Sequence, residues 1–124
     1  MGFIETIIER ARGDRKTIVL PETTDRRVLE AAAAVMARDI AHIVLVGNPD
    51  AIRETGRGLD LSGARIVDPA TADCFGDYAT TLHEMRKSKG MTPEQARETM
   101  VNPLYFGVMM VKKGEADGMV AGAI

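Results

Sequence analysis

Apolar residues fall into two patterns along this chain: short unbroken aliphatic runs, and longer stretches with an apolar residue every third or fourth position. The runs are Thr17-Ile18-Val19-Leu20, His42-Ile43-Val44-Leu45-Val46 and Arg65-Ile66-Val67. Being continuous rather than alternating, they suit parallel strands covered on both faces. Met119-Val120-Ala121 reads as a fourth strand. Between the runs the period changes. Phe3, Ile4, Ile7, Ile8 and Ala11 mark an opening amphipathic helix that stops at Gly13. Asp25 to Arg38 follows as a helix capped by Asp25, with Val28, Leu29, Ala32, Val35 and Met36 as its buried stripe.

Punctuation residues supply the remaining boundaries. Asn48-Pro49 starts a helix that Gly56 closes. A longer helix is predicted from about Phe75 to Lys89, with Tyr78, Leu82 and Met85 turned inward and Gly90 at its end. Thr92 and Gln95 stand at capping-box spacing. Asn102-Pro103 opens another helix, which carries Lys112 and Lys113 at its negative end and stops at Gly114. Strands alternating with helices predict an α/β fold: a βαβ framework with a parallel sheet and right-handed crossovers. No repeat, low-complexity tract or linker interrupts it. The run Gly118-Met119-Val120-Ala121-Gly122-Ala123-Ile124 stops in a strand-turn signal, so the expectation is a truncated first domain.

Composition narrows the function classes. The 124 residues are 45% apolar and 27% charged, enough for one core and no second complete domain. A net charge of −2 argues against a general nucleic-acid or membrane-surface binder, without excluding a local basic pocket. Cys74 is the single cysteine, so no internal disulfide forms and a reducing compartment fits. Neither a secretory leader nor a transmembrane-length stretch is recognisable, so a cytoplasmic location is expected.

Ligands of open α/β sheets bind beyond the carboxyl ends of the strands. Three segments should lie there: Pro21 to Asp25, Gly47-Asn48-Pro49 and Gly122-Ala123-Ile124. None is a phosphate-binding or dinucleotide glycine loop. Glu22 and Asp25 read as turn bonding and helix capping rather than as an acid/base pair. His42, His83 and Cys74 lack companions at metal-ligand or nucleophile spacing, so no metal is expected. Met109 and Met110 read as core fillers. Arg86-Lys87-Ser88-Lys89-Gly90 puts three cations at a helix end. That placement suits the helix dipole and solubility, and it equally suits an anion site where Arg holds phosphate oxygens in its planar fork.

Several strings are distinctive in order and spacing: Thr17 to Glu22 with Asp25 and Arg26, Ile43 to Gly47, Ile66 to Pro69, Arg86 to Thr92, Tyr105 to Lys112, and Gly114 to Ala123. Together they resemble the opening of the phosphate acetyltransferases, a family that also holds phosphate butyryltransferases and the C-terminal region of some malic enzymes. The resemblance implies two isocitrate-dehydrogenase-like α/β domains, commonly in a dimer, with the active site between the domains. It implies acetyl transfer between phosphate and coenzyme A, with those small molecules and acetyl phosphate as partners and no metal required. The catalytic Asp, Ser and Arg of the family belong to later sequence, so none is expected in residues 1–124. Arg86 matches a family arginine that contacts the phosphate end of coenzyme A; Lys87 and Lys89 would add positive field. A non-catalytic anion-binding or regulatory module, a malic-enzyme segment and a butyryl-specific relative are the competing expectations.

Overall fold

A computed structural model describes residues 2–122. Its elements are α1 (Phe3–Gly13), β1 (Thr17–Leu20), α2 (Arg26–Ala37), β2 (His42–Val46), α3 (Pro49–Thr55), β3 (Arg65–Val67), α4 (Phe75–Arg86), α5 (Pro93–Met100), α6 (Pro103–Lys112) and β4 (Gly118–Met119). A single 3-10 turn, Lys87–Lys89, follows α4. The four strands form one sheet in the order β3-β2-β1-β4. Every pairing is parallel: Ile18 stands opposite Ile43 and Gly118, and Val44 opposite Arg65. The α/β architecture read from the hydrophobic pattern is therefore the one observed.

Successive strand side chains point to opposite faces, and both faces are covered, which explains the unbroken apolar runs. Leu20, Ile43 and Leu45 pack with Leu29 and Ala32 of α2 and Ile52 of α3. Val19, Val44 and Val46 face Tyr78 and Leu82 of α4, Met100 of α5, and Phe106 and Met110 of α6. Met109 and Met110 are both buried, as expected of core fillers.

The caps work as their residue types predict. The Arg27 N–H donates to Asp25 Oδ1 (2.9 Å), the Ala51 N–H to Asn48 Oδ1 (3.0 Å) and the Leu104 N–H to Asn102 Oδ1 (2.9 Å). Thr92 and Gln95 exchange both bonds of a capping box. One contact had no local signal. Asp117 accepts from the Thr17 N–H at 2.8 Å and donates its own N–H to the Thr17 carbonyl at 2.8 Å, clamping the start of β4 to the start of β1.

Four expectations change. Met85 is 47% exposed, because the buried contacts of α4 end at Leu82. The helix also stops at Arg86 and tightens into the 3-10 turn before Gly90, whose φ is +89°. The α1 stripe meets the core only through Ile8, while Phe3, Ile4 and Ile7 stay exposed. β4 is displaced to Gly118–Met119; Val120 is exposed, though its N–H still bonds the Val19 carbonyl at 3.1 Å.

Close approach of α6 to the sheet depends on Gly107. A Cβ there would stand 3.0 Å from Met119 Sδ and 3.1 Å from Val19 Cγ1. Gly107→Val is expected to lose about 1–3 kcal/mol of unfolding free energy through overpacking. Gly107→Ala should lose far less, since its better helix propensity offsets up to about 1 kcal/mol. Urea unfolding of the two variants checks the order, and equal stabilities would contradict the packing.

Candidate functional site

The sheet order locates the place where a cleft must open. The chain steps outward from β1 to β2 and β3, then returns to the other side of β1 for β4. The β1–β2 and β3–β4 crossovers run in opposite directions and lie on opposite faces of the sheet, so the loops beyond the β1 and β4 carboxyl ends part from each other. A cleft of about 540 Å³ lies there, lined by Glu22, Thr23, Gly47, Asn48, Asn102 and Gly122 among others. Pro21 to Thr24 of the first expected segment, Gly47 and Asn48 of the second and Gly122 of the third thus meet around one cavity, while Asp25 and Pro49 stay outside its lining. Ala123 and Ile124 lie outside the described residues.

Each wall has a local cause. Pro21 ends β1 and starts the turn through Glu22 to Thr24. Thr23 is the one buried polar residue among those described; its hydroxyl donates to the Val46 carbonyl at 3.0 Å and ties this turn to the end of β2. Gly47 then lets the two turns touch, since a Cβ on it would sit 2.5 Å from Thr23 Oγ1. Asn48 and Asn102 present helix starts to the cleft. Their side-chain oxygens are engaged by backbone N–H groups, so their NH₂ ends serve as donors at its rim.

Glu22 departs from its expected role. Its carboxylate is not confined to the local turn: Oε1 accepts from the Gly122 N–H, joining the β1 and β4 loops across the reversal of strand order. Asp25 does remain structural. Hydrogen bonding to the Arg27 side chain, then to its backbone N–H, holds the Asp25 carboxyl below the usual carboxylate range. The pair is therefore a bridge and a cap, not an acid and a base.

The three cations expected to bind an anion lie elsewhere. Arg86 and Lys89 border a separate groove of about 550 Å³ with Gly90, Gln95, Glu98 and Thr99. Neither makes an ion pair among the described residues. Lys87 is engaged by Glu84 at 2.7 Å, and that bond lowers the Glu84 carboxyl. The groove and the cleft flank the same corner between α5 and α6: Thr99 lines one, Asn102 the other, and the Asn102 N–H bonds the Thr99 carbonyl at 3.1 Å.

Sequence reasoning missed Asn102 as a wall residue, and it placed Thr23 in a strand-end segment without its bond to β2. Asn102 was legible only as a cap, and Thr23 as one residue of a turn. The described residues include no group of His, Cys, Asp and Glu able to hold a metal ion, and no helix long and apolar enough to cross a membrane.

These features define a doubly wound α/β domain with a ligand cleft at its strand-order reversal. The chain belongs to the phosphate acetyl/butaryl transferase family, whose model matches residues 2–124. It is 59% identical over 124 residues to a phosphate acetyltransferase of Acetivibrio thermocellus, covering 100% of this chain and 37% of that protein. For a phosphate acetyltransferase of Thermoanaerobacterium thermosaccharolyticum the identity is 51%, with coverage of 100% and 38%. A solved phosphotransacetylase from Staphylococcus aureus superposes with a TM-score of 0.87 at 34% identity, covering 98% of this chain and 37% of its own. One from Streptococcus pyogenes gives a TM-score of 0.89 at 32% identity, covering 100% and 39%. The chain thus spans little more than a third of the length of these relatives.

Proposed function

We propose that the chain is the N-terminal part of the first α/β domain of an acyltransferase. The complete protein moves an acetyl group reversibly between phosphate and coenzyme A. The supporting observation is the pairing, around one α5–α6 corner, of a cleft at the strand ends with a separate groove bearing Arg86 and Lys89. Coenzyme A needs two such places, one for its anionic nucleotide end and one for its thiol end at the reacting carbonyl. In the forward step the thiolate attacks the acyl carbon of acetyl phosphate, a C–S bond forms, and the C–O bond to phosphate breaks. The thiol proton passes to a base and phosphate leaves with the bonding electron pair. Positive charge and N–H donors stabilise the oxyanion. The base and oxyanion groups are assigned to residues beyond 124, so this chain by itself is proposed to be inactive. The same reading makes the complete protein a cytoplasmic homodimer acting on coenzyme A, acetyl phosphate and phosphate, without a metal.

Arg86 is assigned to the phosphate end of coenzyme A, with Lys89 supporting it and Lys87, already engaged by Glu84, contributing less. A hydrogen bond to a charged group is worth about 1.5–3 kcal/mol, or roughly ten- to a hundredfold in binding. In the complete enzyme, Arg86→Ala should raise KM for coenzyme A by about that factor, with kcat changed only a few-fold. Lys87→Ala should change it much less. The readout is acetyl-CoA formed from acetyl phosphate and coenzyme A. An unchanged KM in Arg86→Ala would remove this assignment, and no turnover by the unmutated complete protein would remove the transferase reading. Turnover of butyryl phosphate in place of acetyl phosphate would indicate the butyryl-specific member.

A further inference from the structure

A further groove, of about 590 Å³, runs between α4 and α5. On α4 it is lined by Phe75 and by Gly76, Ala79, Thr80 and His83, whose helical spacing puts them on one face. Pro93 and Arg97 of α5 complete the lining. The groove bearing Arg86 and Lys89 lies on the other side of the buried Ala96 and Met100 stripe of α5, and the two share no lining residue.

Every titratable group in this lining is a base. Arg97 makes no ion pair and no side-chain hydrogen bond among the described residues. The acids of the two helices are engaged or placed elsewhere. Asp77 pairs with Lys113 at 3.1 Å and Glu84 with Lys87 at 2.7 Å. Glu98 lines the other groove, and Glu94 lines neither. His83 is half-buried, and its imidazole offers a ring N–H in either protonation state. Thr80 adds a hydroxyl. We propose that this groove binds a phosphate group through Arg97, His83 and Thr80, at a site separate from the one assigned to coenzyme A. The guanidinium fork matches two phosphate oxygens, while the imidazole and the hydroxyl donate to the others. The groove is far larger than a phosphate ion needs, and Phe75, Gly76, Ala79 and Pro93 can carry the carbon skeleton of a phosphate ester. All of these residues belong to this chain, so the site stands whether or not the transferase reading does.

The test is arginine protection in the complete protein. Phenylglyoxal modifies free guanidinium groups, and peptide mass spectrometry resolves Arg97 from Arg86. The probes are adenosine monophosphate and inorganic phosphate, with sodium chloride at matched ionic strength as the control. A probe should slow modification of Arg97 in a saturable way, and the salt should not. Protection by the monophosphate alone identifies an organic ester as the ligand, and equal protection by both identifies the free ion; each upholds the site. Arg86→Ala should leave the half-protecting concentration within about twofold, because the two grooves share no residue. His83→Ala should raise it about tenfold or more, the loss expected for a hydrogen bond to a charged group. Gly76→Leu fills the groove and should abolish protection by the monophosphate. A Cβ at Gly76 meets nothing within 4 Å and leucine is the better helix former, so this variant keeps the fold. Equal modification with and without both probes overturns the site, as does an Arg97 that the reagent never reaches. Protection that survives Gly76→Leu or vanishes with Arg86→Ala overturns it as well.

Discussion

Phe106→Ala is expected to lower the unfolding free energy by about 3–5 kcal/mol, the range for emptying a large aromatic site in a packed core. Phe106 is fully buried at the first turns of α6, where it joins that helix to α4 and the sheet. Its ring centroid lies 4.9 Å from that of Tyr78 at an interplanar angle of 51°, so the substitution also removes an aromatic pair. The paired Tyr78 ring also carries a hydroxyl. It is buried without a hydrogen-bond partner of normal geometry. Burial, with Glu115 and Cys74 close by, pushes the phenol well above its ordinary pKa, so it stays neutral. Domains of this size have about 5–15 kcal/mol in total, so the variant should lose a substantial share of its stability. Urea titration of Phe106→Ala checks this; a loss below about 1 kcal/mol would show that α6 is not held by this ring. Cleft geometry should deteriorate with stability, because the Asn102 wall is the start of the same helix.

Gly47→Ala should be the most damaging of the small substitutions at the cleft. The added methyl would stand 2.5 Å from Thr23 Oγ1. That hydroxyl cannot swing away without giving up its bond to the Val46 carbonyl in a buried setting. Overpacking of this kind costs about 1–3 kcal/mol, and a stranded buried polar group about 1–3 more. Gly47 also has a φ of +156°, which side-chain-bearing residues rarely adopt. A loss of about 2–6 kcal/mol is therefore expected. The complete enzyme should lose activity more than ten-fold even where it remains folded, since the Glu22–Thr24 turn forms the cleft wall. Circular dichroism during thermal melting, paired with acetyl-CoA formation, separates the two effects. Should Thr23→Ala restore both stability and activity to Gly47→Ala, the steric account holds; should it restore neither, the account fails.

The fold was largely legible in the chain because its signals are local. Aliphatic runs placed β1, β2 and β3 at their observed bounds. Asp25, Asn48, Thr92 and Asn102 marked helix starts through hydrogen bonds spanning two or three residues. Errors gathered where burial depends on what a helix meets. Met85 continues the helical phase of Tyr78 and Leu82, yet the core ends before it; Phe3, Ile4 and Ile7 form a proper stripe with only Ile8 reaching the interior. No local rule could shorten α4 or displace β4, since both depend on partners distant in sequence.

The candidate site divides in the same way. Its segments were foreseeable from the principle that α/β ligands bind at strand carboxyl ends, and the Arg86 cluster was visible as a run of charge. Which residues face one another was not. Glu22 bonds Gly122 and Asp117 clamps Thr17, each across a separation of 100 residues. Sequence alone determined the first three strands, the caps, the parallel α/β class and the family, because each rests on short-range periodicity or on an ordered set of motifs. Only the tertiary structure decided that the strands run β3-β2-β1-β4, that Thr23 and Gly47 share one wall, and that Arg86 lies in a groove apart from the cleft. Those outcomes arise from long-range pairing and packing, whose free energy depends on the whole folded arrangement rather than on any stretch of chain.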